Sequence, residues 1–139
     1  MDVVYFSIIP TFEPSRYCKC WIVCFYNKTN IGGGLYIGHP YCITINEKAV
    51  IGKNVNIHKG VTIGQENRGE RKGTPVIGDE VWIGINSTIV GAIHIGNDVL
   101  IAPNAFVNCD IPDHSIVFGN PCIIKPKNNA TEGYINNKV

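Results

Sequence analysis

The sequence predicts an all-β domain, wound as a solenoid of short parallel strands, and three observations carry that prediction. An aliphatic residue recurs every six positions: Ile31 and Ile37, then Ile45, Ile51, Ile57 and Ile63, and after a gap Ile77, Ile83, Ile89, Ile95, Ile101 and Val107. Four places after many of these stands a second small or aliphatic residue, as at Ala49, Val55, Val61, Val81, Ser87, Val99 and Ala105. Glycine, asparagine and aspartate fill the steps between, as in "IGKNVN", "IGDEVW" and "IGNDVL". A six-residue period fits neither a helix at 3.6 nor strands closed by hairpins. It fits stacked coils in which each hexapeptide supplies one strand and one turn, so that the recurring aliphatics bury a continuous core.

Composition narrows the function classes. With 139 residues, 45% apolar and 17% charged, the chain suits one domain with a sizeable core, and a net charge of +1 gives no field favouring nucleic acid or an anionic membrane. The longest apolar run, Trp21 to Tyr26, is too short to span a bilayer, and Met1-Asp2-Val3-Val4 is no secretory signal, so a cytoplasmic protein without membrane insertion is expected. The six cysteines are expected as free thiols; Cys18, Cys20 and Cys24 lack the second short-spaced pair of a zinc site, and no metal is expected.

Along the chain, residues 1–30 lack the period and are read as a cap over the open end of the solenoid. Residues 31–125 form the repeat domain, interrupted by a polar loop at 65–75. Residues 126–139, "PKNNATEGYINNKV", are read as a polar, mobile tail.

The repeat breaks twice. Ile37 to Ile43 keeps the six-residue step, but the next coil is in phase with Ile45, a two-residue slip between His39 and Glu47. Between Ile63 and Ile77 the stretch "GQENRGERKGTPV" has no inward aliphatics and must loop out. Loops displayed on a rigid scaffold commonly carry function.

On these residues the chain resembles the hexapeptide-repeat acyltransferases, and "HPYCITINEKAVIG" (residues 39–52) with "GVTIG" (60–64) is similar to the core of the serine acetyltransferase branch. The resemblance implies a left-handed parallel β-helix with three hexapeptides per triangular coil, roughly four coils here, and one extruded loop. It places His39 on the catalytic histidine and Glu47 on a glutamate of that branch. It implies acetyl-CoA as acyl donor, held between subunits of a homotrimer by backbone amides of the C-terminal coils in a groove lined by Gly84, Ile85, Ala102 and Pro103, with Gln65 nearby and Lys125 or loop arginines toward the phosphates. Gly38, His58 and Thr74 would face the acceptor. The sequence departs from the branch at that pocket: the aspartate before the histidine is Gly38, and the loop's closing arginine and histidine are Gly73 and Thr74. The acceptor is therefore open between L-serine and a sugar hydroxyl, as in the polysaccharide O-acetyltransferases with similar cores.

The chemistry suits the assignment. Moving acetyl from a thioester to a hydroxyl needs a base, and an imidazole is largely a free base at neutral pH; Glu47 would orient it through the other ring nitrogen. Cys42 as an acyl-carrying nucleophile is disfavoured, because the family transfers acetyl directly. His94 and His114 stand in turn-like settings and are expected at the surface. Two other readings remain: a non-catalytic solenoid that orders an assembly, and a degenerate relative that folds without transferring acetyl.

Overall fold

The computed structural model describes Val23–Cys24 and residues 29–139. Most of the expected N-terminal cap, with Cys18 and Cys20, lies outside the described residues. The chain winds through five coils, each contributing to faces A, B and C of a triangular prism in turn. The first coil is β1 (Val23–Cys24), β2 (Asn30–Ile31) and β3 (Tyr36–Gly38); the second is β4 (Ile43–Ile45), β5 (Val50–Ile51) and β6 (Asn56–His58). The third is β7 (Thr62–Gly64), β8 (Val76–Ile77) and β9 (Val81–Ile83), and the fourth β10 (Thr88–Val90), β11 (His94–Ile95) and β12 (Val99–Ile101). The fifth has β13 (Phe106–Val107), a single bridge at Ile111, and β14 (Ser115–Phe118), after which β15 (Ile123–Pro126) turns back antiparallel to β14.

Five coils replace the roughly four expected. The extra one begins at β1, inside the segment read as cap, which pairs parallel with β4 although its sequence lacks the hexapeptide signature. The remaining coils follow the repeat. Ile37, Ile57, Ile83, Ile101 and Val117 are successive partners up face C, and Ile45, Ile63, Ile89 and Val107 up face A. Ile31, Ile51, Ile77, Ile95 and Ile111 form the third ladder. From the second coil onward these side chains are 2% exposed or less, and each such burial contributes about 1.5–3 kcal/mol.

The corners explain the rest of the repeat. The B–C corner places Asn54, Glu80, Asp98 and His114 at positive φ of 53–56°, a conformation that short polar residues tolerate best. The glycine after the face-B isoleucines Ile31, Ile51, Ile77 and Ile95 answers a second constraint. A β-carbon at Gly52 would stand 2.4 Å from the Gly78 carbonyl oxygen of the next coil, so the coils could not stack with any larger residue there.

The C-terminal segment corrects the sequence reading: it is docked, not mobile. It runs back along face C, with Ala130, Thr131 and Ile135 buried. Its anchor is Asp98, whose carboxylate accepts from Ala130 N (3.0 Å), Thr131 N (3.0 Å), Thr131 Oγ1 (2.9 Å) and His114 Nδ1 (2.8 Å). Farther on, Asn56 Nδ2 donates to Tyr134 O (3.1 Å), Lys138 pairs with Glu80 (2.6 Å), and Asn54 exchanges two hydrogen bonds with Val139. Burial alone would raise the Asp98 carboxyl, but the donors around it prevail and hold it at about 2, against an ordinary 3.8.

A depressed carboxyl stabilises the docked state above its ordinary value and loses that contribution as pH falls through the depressed one. Amide NMR of Ala130 and Thr131 should therefore report full docking above about pH 4 and release between about pH 4 and 2. At neutral pH, Asp98→Asn turns an amide toward these donors. It should speed exchange of both amides by about tenfold or more while Ile57 stays protected; unchanged exchange would remove Asp98 as the anchor.

Candidate active site

The two-residue slip is an expansion of one corner. Between the partners Gly38↔His58 and Thr44↔Thr62, one strand path has five residues, 39–43, where the next coil has three, 59–61. The surplus leaves the prism at the C–A edge, because the inward ladders above and below stay in register. Tyr41 O accepts from Gly60 N as Lys59 O does from Asn86 N, so Cys42 takes the positive-φ place that Gly60 and Asn86 fill in the following coils. That accounts for a cysteine at a turn without any nucleophilic role. His39 and Pro40 are then the inserted pair. His39 has φ 56°, is exposed, and its ring has no hydrogen-bond partner among the described residues. A histidine held in a left-handed conformation with free ring nitrogens is available for chemistry, whereas a structural one would be bonded to its surroundings.

Gly38 is buried beneath the ring of His58: a β-carbon there would lie 2.5 Å from His58 Nδ1. An acidic side chain at position 38 and this placement of His58 exclude each other, which gives the departure at Gly38 a physical basis. Burial pushes the His58 imidazole below its ordinary value, and the neighbouring His39 lowers it further, so His58 is neutral near pH 7. Its Nε2 is buried without a partner among the described residues. The ring lies 4.8 Å from Trp82 and 6.4 Å from Tyr36, and Trp82 in turn lies 4.9 Å from Tyr134 of the docked segment.

The remaining predicted residues fall into two groups. Gly84, Ile85, Ala102 and Pro103 lie on the same C–A edge as His39, in the next coils. Gly84 admits the corner above it, since a β-carbon there would meet Pro103 N at 2.6 Å, and the single Ser87 hydroxyl proton is shared between the corners, with Gly84 O at 2.9 Å and Ala102 O at 3.0 Å. The amides of Gly84 and Ala102 are already engaged, donating to Ile101 O and Val117 O at 2.8 Å, and proline has none. Of the four, the Ile85 N–H alone has no partner among the described residues, so a ligand here meets one free donor and not a row of them.

Glu47, Gln65 and Thr74 come together at the other edge of face A. Asn46 Nδ2 donates to Gln65 Oε1 (3.3 Å), Thr74 Oγ1 donates to Lys48 O (3.0 Å), and Glu47 is exposed between those two neighbours. The 65–75 loop is closed on itself by the Glu66↔Gly73 bridge and the Arg71–Glu66 pair (3.1 Å), and is tied to the next coil by a bond from Ala92 N to Arg71 O (2.9 Å). Crossing β4 from Cys42 to Asn46 spans about 13 Å at strand rise. Within one chain Glu47 therefore does not orient His39. Lys125 is on β15, its ammonium over the Phe118 ring at 5.7 Å.

Sequence reading missed Trp82, Tyr134, Asn56 and Asp98. Trp82 sits at an outward strand position inside an ordinary repeat, and Tyr134 lies where no period operates; only the docking of the C-terminal segment joins them. Among the described residues no group of three or more His, Cys, Asp or Glu is placed to hold a metal ion, and no helix is long and apolar enough to cross a membrane.

Comparison with known proteins agrees with this geometry. Residues 74–109 match the family described as bacterial transferase hexapeptide (six repeats). Serine acetyltransferase 2 of Arabidopsis thaliana is 36% identical over 107 residues, which are 77% of this chain and 33% of that protein. Among solved structures, the serine acetyltransferase of Neisseria gonorrhoeae in complex with serine matches with a TM-score of 0.64 and 37% identity, covering 70% of this chain and 40% of the other. That of Brucella abortus strain S19 in complex with coenzyme A matches with a TM-score of 0.68 and 31% identity, covering 73% and 40%. The chain thus spans a third to two fifths of the length of these relatives. The winding is that of the left-handed β-helix of hexapeptide repeats. By its repeat, its expanded histidine corner and these likenesses, the chain carries a hexapeptide-repeat β-helix similar to that of the serine acetyltransferases.

Proposed function

We propose that this chain transfers an acetyl group from acetyl-CoA to a hydroxyl acceptor, with His39 as general base. The observation that carries the reading is the C–A corner, lengthened by two residues and presenting an imidazole with no hydrogen-bond partner among the described residues, on the edge that also holds Gly84, Ile85 and Ala102. His39 takes the acceptor's proton as its oxygen attacks the thioester carbonyl carbon; the C–S bond then breaks, and the leaving thiolate recovers the proton from the imidazolium. A neutral His58 beside it avoids a like charge when that imidazolium forms. The Ile85 N–H is the donor on this edge for the acyl donor's amide-bearing arm.

The split of the predicted residues between two edges supports assembly. A heterologous contact that sets the A–B edge of one copy against the C–A edge of the next would bring Glu47, Gln65 and Thr74 to His39, and three such contacts close a ring. We therefore read the enzyme as a homotrimer with sites between subunits, acting in the cytoplasm where acetyl-CoA is available. The names of the relatives favour L-serine as acceptor. Gly38 and Thr74, whose hydroxyl is engaged by Lys48 O, favour a sugar hydroxyl.

His39→Ala should lower turnover in a thiol-release assay by about 10²–10⁴ with thermal unfolding unmoved, because the side chain is exposed and has no hydrogen-bond partner among the described residues; near-normal turnover would remove it as the base. Analytical ultracentrifugation should give a trimer, and a monomer at micromolar concentration would contradict the intersubunit site.

A further inference from the structure

A cleft of about 330 Å³ opens on face C beside Gly38 and His58, and half of it is made by the docked C-terminal segment. Tyr36, His58 and Trp82 come from three successive coils, Tyr134 closes the far side, and Asn56, Asn136 and Asn137 supply amides. Tyr36 and Tyr134 keep about half of their surface exposed, at 54% and 52%. Among the described residues, none of the lining side chains carries a fixed charge.

That inventory selects a ligand class. L-serine at neutral pH is a zwitterion, so recognising it calls for a cation facing its carboxylate and an acid facing its ammonium. This cleft offers neither. Rings flanked by amides suit a neutral polyhydroxylated ring, which has an apolar C–H face to lie on an aromatic surface and hydroxyls that both donate and accept, as carboxamides do. Asn56 uses its N–H on Tyr134 O and keeps its carbonyl oxygen, the Asn137 carboxamide has no partner among the described residues, and His58 Nε2 is an orphan in the wall. The volume lies at the small end of ligand pockets, a monosaccharide's scale.

We propose that this cleft is the acceptor subsite and takes a neutral sugar ring, held by Trp82, Tyr134 and the asparagine amides with one hydroxyl toward His39. The proposal rests on the acetyl-transfer reading above and names its acceptor class. It also gives the C-terminal segment a role, as one wall of the substrate site.

Saturation-transfer NMR and thiol release on the full chain test it, with methyl glucoside, methyl galactoside and N-acetylglucosamine as probes and L-serine as the comparison. At least one sugar should bind without acetyl-CoA and be acetylated with it. Tyr134→Ala should raise the KM for that sugar by about tenfold, as should Asn137→Ala to a lesser extent, and Tyr134→Phe should restore it. Both side chains are exposed, so thermal unfolding should not move. Acetylation of L-serine with no sugar bound would overturn the cleft's assignment and leave the transferase reading standing. A sugar that binds through Tyr134 yet is never acetylated, while no other acceptor is, would overturn both the acceptor role and the transferase reading.

Discussion

Everything in this molecule depends on three ladders of aliphatic side chains stacked in register through the prism. Once Ile57, Ile83 and Ile101 lie one above another with no exposed surface, every coil must return to the same three positions, and any residues beyond that closure have to leave at a corner. The core therefore acts as a ruler. Against it, the two surplus residues at His39 and Pro40 and the extruded loop at 65–75 are departures that the fold tolerates only at its edges, where function can use them.

Those departures fall on different edges of one face, and this shapes the chemistry. His39 shares an edge with Gly84, Ile85 and Ala102, while Glu47, Gln65 and Thr74 share the opposite one across β4. Each edge carries half of what the sequence had grouped into one site. In the ring proposed above, the halves would meet without leaving an edge unmatched, and assembly and catalysis would be one requirement.

The repeat and the histidine corner were legible in the sequence because both follow from a strict period: an aliphatic every sixth place and one visible slip. The first coil was not, since β1 at Val23–Cys24 joins the sheet by backbone pairing with β4 and needs no hexapeptide. The C-terminal segment was not legible either. Its composition reads as solvated, yet Asp98 gathers two of its amides and a hydroxyl into one carboxylate, an attachment between residues more than thirty positions apart that no local pattern encodes. With it came the aromatic face of Trp82 and Tyr134. The spacing of Glu47 and His39 was not legible for a related reason: eight residues apart in sequence, they stand beyond opposite ends of β4.

The central claim is that the lengthened corner exists to present His39. Deleting Pro40 and Tyr41 keeps the histidine but restores the three-residue corner of the next coil, setting His39 where Lys59 stands. The measurement is the acceptor-dependent rate of thiol release from acetyl-CoA by this deletion variant, beside its thermal unfolding. The account predicts a folded protein whose turnover falls by about a hundredfold or more, as if the imidazole itself had been removed. Turnover close to that of the intact chain would contradict it.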